Sequence, residues 1–280
     1  FKLEITKVID SVYISRSEKR HQMLMHRYKY MYINKNGITW KIIIMLTAVA
    51  LTQAMIMINS DTFPDGFCVM DVSGLVIQGL VFPLILFVLV FSNLKLLEID
   101  NTPMYMVKYK SKRYIWGMHC GLSFLYSFTN MAYVIAAVML MIYLRGFSFM
   151  NWNKEGSFYY MLTFRYTKGI GQIHFNSISI ILFCWISISL LSFFMCMFIL
   201  LVENVSESRI IATLILVIVT GEELSIRLFY RHVLIHMEDW VNTGVCVRKI
   251  LFLIIADTCL FLAGYIQVEA RQLYGKGEEG

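Results

Sequence analysis

Charge is scarce in this chain: 16% of its 280 residues are Asp, Glu, Lys or Arg, against about 25% in an ordinary soluble domain. That deficit argues against a water-soluble globule. Proline is nearly missing, with three residues, and a collagen-like chain needs it in regular alternation with glycine. Disorder needs low hydrophobicity, yet 58% of the residues are hydrophobic and the mean hydropathy is +0.63. The six cysteines, Cys68, Cys120, Cys184, Cys196, Cys246 and Cys259, show no C-x-x-C spacing and no neighbouring histidine pattern. A zinc site and a small disulfide scaffold are thereby excluded. No G-x-x-x-x-G-K-[ST] string occurs, and Gly275-Lys276-Gly277 has neither the preceding glycine spacing nor a following hydroxyl residue. This chain therefore does not hydrolyse ATP by a P-loop. What is left is an integral membrane protein.

About 20 apolar residues are needed to cross a hydrocarbon core of roughly 30 Å. Long uncharged runs occur at Ile42–Ile58, Val72–Leu94, Tyr114–Leu144 and Gly169–Val202, and a run from Ile250 to Val268 is interrupted once. A shorter run, Ile210–Gly221, lies between Arg209 and Glu222. It crosses only if Arg209 snorkels and the carboxylates stay at the interface. The expected fold class is an all-α integral membrane protein with six transmembrane helices over residues 42–268.

Cytoplasmic segments retain Lys and Arg. With six spans, seventeen of the 25 basic residues fall in 1–41, 95–113, 203–209 and 269–280, and eight fall in 145–168 and 222–249. Both termini, including the tail 269–280, are accordingly expected in the cytoplasm of a multi-pass cell-membrane protein. The first outer loop, 59–71, agrees, because it contains Asp61, Asp65 and Asp71 with no base. The net charge of +6 then addresses the inner leaflet, and no basic stripe with RNA-type aromatic motifs indicates a nucleic-acid partner. Residues 1–40 contain no apolar stretch of signal-peptide length, so the first membrane segment is expected to be its own address. Cys68 and Cys246 share the expected outer side, and a disulfide between them and two independent thiols both stay open.

Two cytoplasmic segments stand out. In the basic segment 1–41, Leu24, Tyr28, Met31 and Tyr32 share one helical face, with Gln22, His26 and Lys29 turned away. That pattern suits an amphipathic helix lying in the inner interface with its bases toward anionic lipid. A positive flank that only fixes topology explains the bases equally well. The loop 95–113 runs from an acidic half, Glu98 and Asp100, past Pro103 and Met104–Val107 into a basic, aromatic half ending Lys110-Ser-Lys-Arg113-Tyr-Ile-Trp116. A positive-inside loop accounts for Lys112, Arg113 and Trp116 but not for the acidic half.

A basic amphipathic N-terminus, six spans with both ends inside, and the loop Glu98-Ile-Asp-Asn101 to Lys110-Ser-Lys-Arg-Tyr-Ile-Trp116 together resemble the permease subunits of type-2 ABC exporters. The architecture covers most of the chain and the motif about twenty residues. The resemblance implies a transport subunit without enzymatic activity of its own, paired with a second permease copy or paralogue. It also implies two ABC ATPase subunits that carry ATP and Mg, with no cofactor on this chain. By that resemblance Glu98, Asp100, Lys108, Lys110, Lys112 and Arg113 form the coupling loop that docks on the ATPase. Leu24, Arg27, Tyr28 and Met31 belong to the interface helix against the same partner. The outer segment 222–249 fits a re-entrant element, and the expected cargo is an amphipathic peptide, drug or lipid.

One carboxylate, Asp257, falls near the middle of the last run. A charge there costs roughly 2.5–3.5 kcal/mol, which the surrounding Leu, Ile, Phe and Val residues offset at about 0.3–0.6 kcal/mol each. It either lines a translocation path or is a protonated or hydrogen-bonded structural carboxyl. Gln53, Gln78, Asn130 and Asn176 read as interhelical hydrogen-bond donors, and Ser177, Ser179, Ser187, Ser189 and Ser192 as a packed helix face. Trp40, Trp116, Trp152 and Trp240 sit near span ends, where interfacial belts place tryptophan. Asn204-Val-Ser206 is a glycosylation sequon expected to stay bare on the inner side.

Two other function classes remain. Glu222-Glu-Leu-Ser-Ile-Arg227 matches E-E-x-x-x-R, a motif of CAAX-protease-like intramembrane hydrolases, and His232 and His236 are spaced i, i+4. Such an enzyme needs further ligands on later spans, and the single span that follows has no histidine. An outer interface helix with Glu223 paired to Arg227 explains the same residues. A channel or receptor without an ATPase partner is the third class.

Overall fold

The computed structural model describes residues 44–45, 47–52, 55, 66–71, 81–98, 112–152, 154, 157, 159–160, 176–225, 232–236, 239–240 and 242–274. Residues 1–41 form a unit separate from 42–280, and every described residue belongs to the second. The interface helix with Leu24, Arg27, Tyr28 and Met31 thus lies outside the described residues, as do Asp100, Lys108 and Lys110.

The described residues are helical and contain no strand. Five helices have defined bounds: α1 Val81–Glu98, α2 Lys112–Leu144, α3 Ser177–Ser206, α4 Arg209–Ser225 and α5 Thr243–Tyr274, and further helical residues occur between 44 and 55. Two helices are long and apolar enough to cross a membrane, α2 from Arg113 and α3, while Phe82–Leu97 and Arg209–Gly221 are shorter apolar helices. The expected helical class is therefore present, with two of the described helices long and apolar enough to cross a membrane.

Local chemistry explains the helix ends. Pro83 sits in the first turn of α1, where its missing N–H costs no hydrogen bond. Gly146, at φ +89°, closes α2 in a conformation that L side chains rarely adopt, and its N–H donates to Tyr143 O at 3.0 Å. Asn176 caps α3, its Oδ1 accepting from Ser179 N at 2.8 Å. Its expected role as an interhelical donor is thus replaced by N-capping, because four N–H groups at a helix start lack intrahelical partners. Glu207, left-handed at φ 53°, ends α3, and Ser208 starts α4 by accepting from Ile211 N at 3.4 Å. Ser208 N donates to Oγ of Ser206, the sequon residue at the end of α3, at 3.3 Å, and that hydroxyl donates to Val202 O of its own helix at 2.8 Å.

Consecutive helices alternate in direction, and α3 packs against all four others. In the most apolar stretch of each helix, 67% of α3 is buried in the bundle against 50% of α2. Close packing and interhelical hydrogen bonds such as Asn93 to Ser123 and Trp185 to Phe128 O hold the helices together. Of the serines expected to form a packed face, Ser187, Ser189 and Ser192 are buried in the bundle, and the Ser192 hydroxyl donates to Ile188 O of its own helix at 2.8 Å. Outward, Leu251, Phe252, Ile255, Leu262 and Ile266 of α5 and Ile210, Leu214 and Ile218 of α4 form exposed apolar stripes. Apolar stripes of that size mark a surface that meets something other than water.

The helices also revise several segment boundaries. Of the expected loop 95–113, residues 95–98 continue α1 and 112–113 begin α2, and 99–111 lie outside the described residues. The last helix starts at Thr243, before the apolar run, and ends at Tyr274, so part of both the outer segment and the tail is helical.

Candidate functional site

At the end of the bundle where α1 stops and α2 starts, two arginines tie the loop's anchor points to other helices. Arg209, the first residue of α4, donates through Nη2 to Leu94 O in the last turns of α1 at 2.8 Å. Carbonyls near a helix C-terminus carry the negative end of the helix dipole, and a carbonyl oxygen has a second lone pair to offer, so a guanidinium is a fitting partner. The Arg209 head group is thus engaged by a neighbouring helix. On the other anchor, Arg113 forms an ion pair with Glu269 of α5 and lies 5.1 Å from the centre of the Tyr265 ring, donating to its hydroxyl at 3.5 Å. One turn further on, Trp116 donates Nε1–H to Phe261 O at 3.1 Å. Its ring lies against Gly264, where an added Cβ would be 2.0 Å from Cζ2.

Of the loop residues expected to dock on a partner, Arg113 is thus engaged within the chain. The backbones of Glu98 and Lys112 end α1 and begin α2, and the rest lie outside the described residues. Trp116, Trp152 and Trp240 are each 2% exposed. The interfacial-belt reading fails for all three, because each ring is enclosed by protein; Trp40 lies outside the described residues.

Above this clasp a seam of polar side chains crosses the interior. Asn93 of α1 donates to Ser123 Oγ of α2 at 2.8 Å, and Ser92 and the Tyr126 hydroxyl are 2.6 Å apart. Ser127 is 3.8 Å from Cys196 Sγ of α3, which Asn93 also reaches. Asn130, expected to bridge helices, donates to Tyr126 O of its own helix at 2.7 Å. On the α5 side stands Asp257, 6% exposed, with neither carboxylate oxygen hydrogen-bonded and near enough to Cys196 for its charge to act on the thiol. The Arg113–Tyr265 and Trp116–Phe261 contacts set the antiparallel register of α2 and α5, which brings Asp257 level with Cys120 to Ser123. The carboxylate singled out in the sequence is therefore a buried group without hydrogen bonds, within electrostatic reach of Cys196.

The opposite end is closed by a second carboxylate. Asp71 is fully buried, accepting from Cys68 N at 2.7 Å and from Trp152 Nε1 at 2.6 Å. Two backbone hydrogen bonds, Val69 N to Ser148 O at 3.0 Å and Met70 N to Phe149 O at 3.2 Å, bind the same segments together. Trp152 stacks on Tyr159 with ring centres 4.3 Å apart. Burial pushes the Asp71 carboxyl up to about 6, against the two hydrogen bonds that favour its charged form. Burial and the adjacent Asp71 carboxylate push the Cys68 thiol up to about 12. Neither Cys68 nor Cys246 is in a disulfide. Nearby, Lys249 Nζ is 2.6 Å from Asp239 Oδ2 and donates to Leu234 O at 2.7 Å, folding 234–239 onto the start of α5.

Chemistry of the hydrolase type finds little support here. His232 is exposed at a helix end, His236 is buried in non-helical chain, and so they share no helical face. The Glu222 and Glu223 side chains lie outside the described residues. No group of three His, Cys, Asp or Glu side chains suited to a metal ion occurs among the described residues.

Sequence reasoning missed Gly264, Glu269, Trp152 and the central role of Asp71. Only Asp71 carried a signal, as an acid in an otherwise base-free loop. No protein-family model, curated protein or solved structure matches the chain.

Proposed function

We propose that this chain is the membrane subunit of an ATP-driven exporter of the type-2 ABC kind, with six spans and both termini in the cytoplasm of the cell membrane. Its partners would be a second permease copy or paralogue and separate ATPase subunits that carry ATP and Mg. The cargo class is an amphipathic peptide, drug or lipid. The observation that supports this reading is mechanical. Segment 99–111 joins the end of α1 to the start of α2, and each of these helix ends is clamped by an arginine to a further helix, α1 to α4 through Arg209 and α2 to α5 through Arg113. A push on that loop reaches four helices instead of two. Packed interfaces switch between discrete arrangements and do not deform continuously, so such clamps convert a local push into a movement of whole helices. The exposed apolar stripes of α4 and α5 supply the lipid-facing surface the reading needs.

The test is co-purification followed by charge reversal. The tagged chain extracted in mild detergent is expected to bring an ATPase with it, and cargo-stimulated ATP turnover is the readout. Arg113→Glu and Glu269→Arg are each expected to lower that stimulation about ten-fold, while the double exchange restores most of it. Because the pair is part-exposed, at 35% and 43% for the two side chains, stability should change by less than about 1 kcal/mol. Absence of an ATPase, or full stimulation in both single variants, removes the proposal's support.

A further inference from the structure

Asp257 has no role in the clasp, yet it is the most unusual group of the interior. It is 6% exposed, both its oxygens lack hydrogen-bond partners, and its charge reaches Cys196, the α3 member of the seam that Ser127, Asn93 and Ser123 complete. A carboxylate enclosed without a partner is strongly disfavoured relative to its neutral acid. None of the groups near it gives either carboxylate oxygen a hydrogen bond. From α3 comes the Cys196 thiol, and from α2, at the same level, come His119 and Cys120, while Arg113 is occupied by Glu269 at one end and Lys249 by Asp239 at the other. A metal cation is poorly served, because the seam's hydroxyls and amide are already bonded to one another. The remaining small cation is the proton.

We propose that Asp257 is a reversible proton-binding site inside the bundle, loaded in the enclosed arrangement seen here and unloaded when α5 shifts against α2 and α3. The charged form then needs hydrogen-bond donors, which the carboxylate lacks in the arrangement seen here. Intramembrane ionisable groups with this setting mark proton and ion pathways. The same α5 carries Glu269 and Gly264, so the position of the loop clasp and the state of Asp257 are linked through one rigid element. The inference does not rest on an ATPase partner and stands or falls separately from the export reading.

The experiment uses the full chain in lipid nanodiscs, by infrared difference spectroscopy between wild type and Asp257→Asn. Wild type is expected to show a carboxylic-acid C=O band at neutral pH, shifted in heavy water, lost reversibly at alkaline pH and missing from the variant. Labelling with the apolar reagent dicyclohexylcarbodiimide is the second measurement. The acid O–H adds across the C=N bond, its proton passing to nitrogen, and the acylisourea rearranges to a stable N-acylurea that mass spectrometry locates. Labelling of the Asp257 peptide should fall about ten-fold per pH unit beyond the midpoint, as the acid form does, and should be the same in sodium and choline chloride. Absence of the acid band at neutral pH overturns the proposal, and so does protection from labelling by sodium, which would make the seam a metal-cation site.

Discussion

Gly264→Leu is expected to separate α2 from α5 and lower the thermal midpoint by several degrees. The reason is distance: even the first added carbon would stand 2.0 Å from Cζ2, 2.4 Å from Cε2 and 2.5 Å from Cη2 of Trp116, where carbon atoms settle at about 3.5–4.0 Å. Trp116 cannot retreat cheaply, since it is buried and its Nε1–H is held by Phe261 O. Overpacking of this kind costs about 1–3 kcal/mol and sometimes more, and Gly264→Ala should already show much of it. The pairing can be checked by suppression. Trp116→Leu alone should destabilise by loss of packing, yet Gly264→Ala combined with Trp116→Leu should be less unstable than the two single effects predict. Strict additivity in detergent thermal-shift measurements would mean that the two residues do not touch.

A comparable loss is expected at the other end of the bundle from Asp71→Ala. The substitution leaves two buried donors, Cys68 N–H and Trp152 Nε1–H, without their acceptor, and each such orphan costs about 1–3 kcal/mol. Asp71→Asn keeps one acceptor and should cost less. The pH dependence has a definite sign. With a folded-state carboxyl raised from 3.8 to about 6, the folded protein binds the proton more tightly than the unfolded chain. The stability contributed by that proton is fully present below pH 3.8 and is lost as pH rises through about 6. Two units correspond to about 3 kcal/mol. Relative to Asp71→Asn, wild type should therefore lose thermal stability between mildly acidic and neutral pH. A parallel pair of melting curves across that range would refute the assignment.

The two carboxylates show why part of the site was legible beforehand and part was not. Asp257 announced itself because an acid inside an apolar run is anomalous whatever surrounds it. Asp71 was visible only as one of three acids in a loop, since nothing local distinguishes a solvated aspartate from one that holds a tryptophan 81 positions away. Arg113 was legible as a basic residue beside a loop. Its partner Glu269 lay in what read as a polar tail, and the helical continuation of α5 to Tyr274 is what brings the two charges together. Likewise Trp116, Trp152 and Trp240 sit where belts are expected by position, and only the neighbouring helices decide that they are enclosed.

Scarce charge, long apolar runs and the lone Asp257 determined from sequence alone that the chain is helical and built around apolar segments, because hydropathy is a property of consecutive residues. Tertiary structure decided which side chains meet: Arg113 with Glu269, Arg209 with the end of α1, Trp116 with Gly264, and Asp71 with Trp152. Those contacts depend on the rotation and register of helices far apart in the chain. A shift of one residue turns a helix by about 100°, so the same composition is compatible with many pairings until packing selects one.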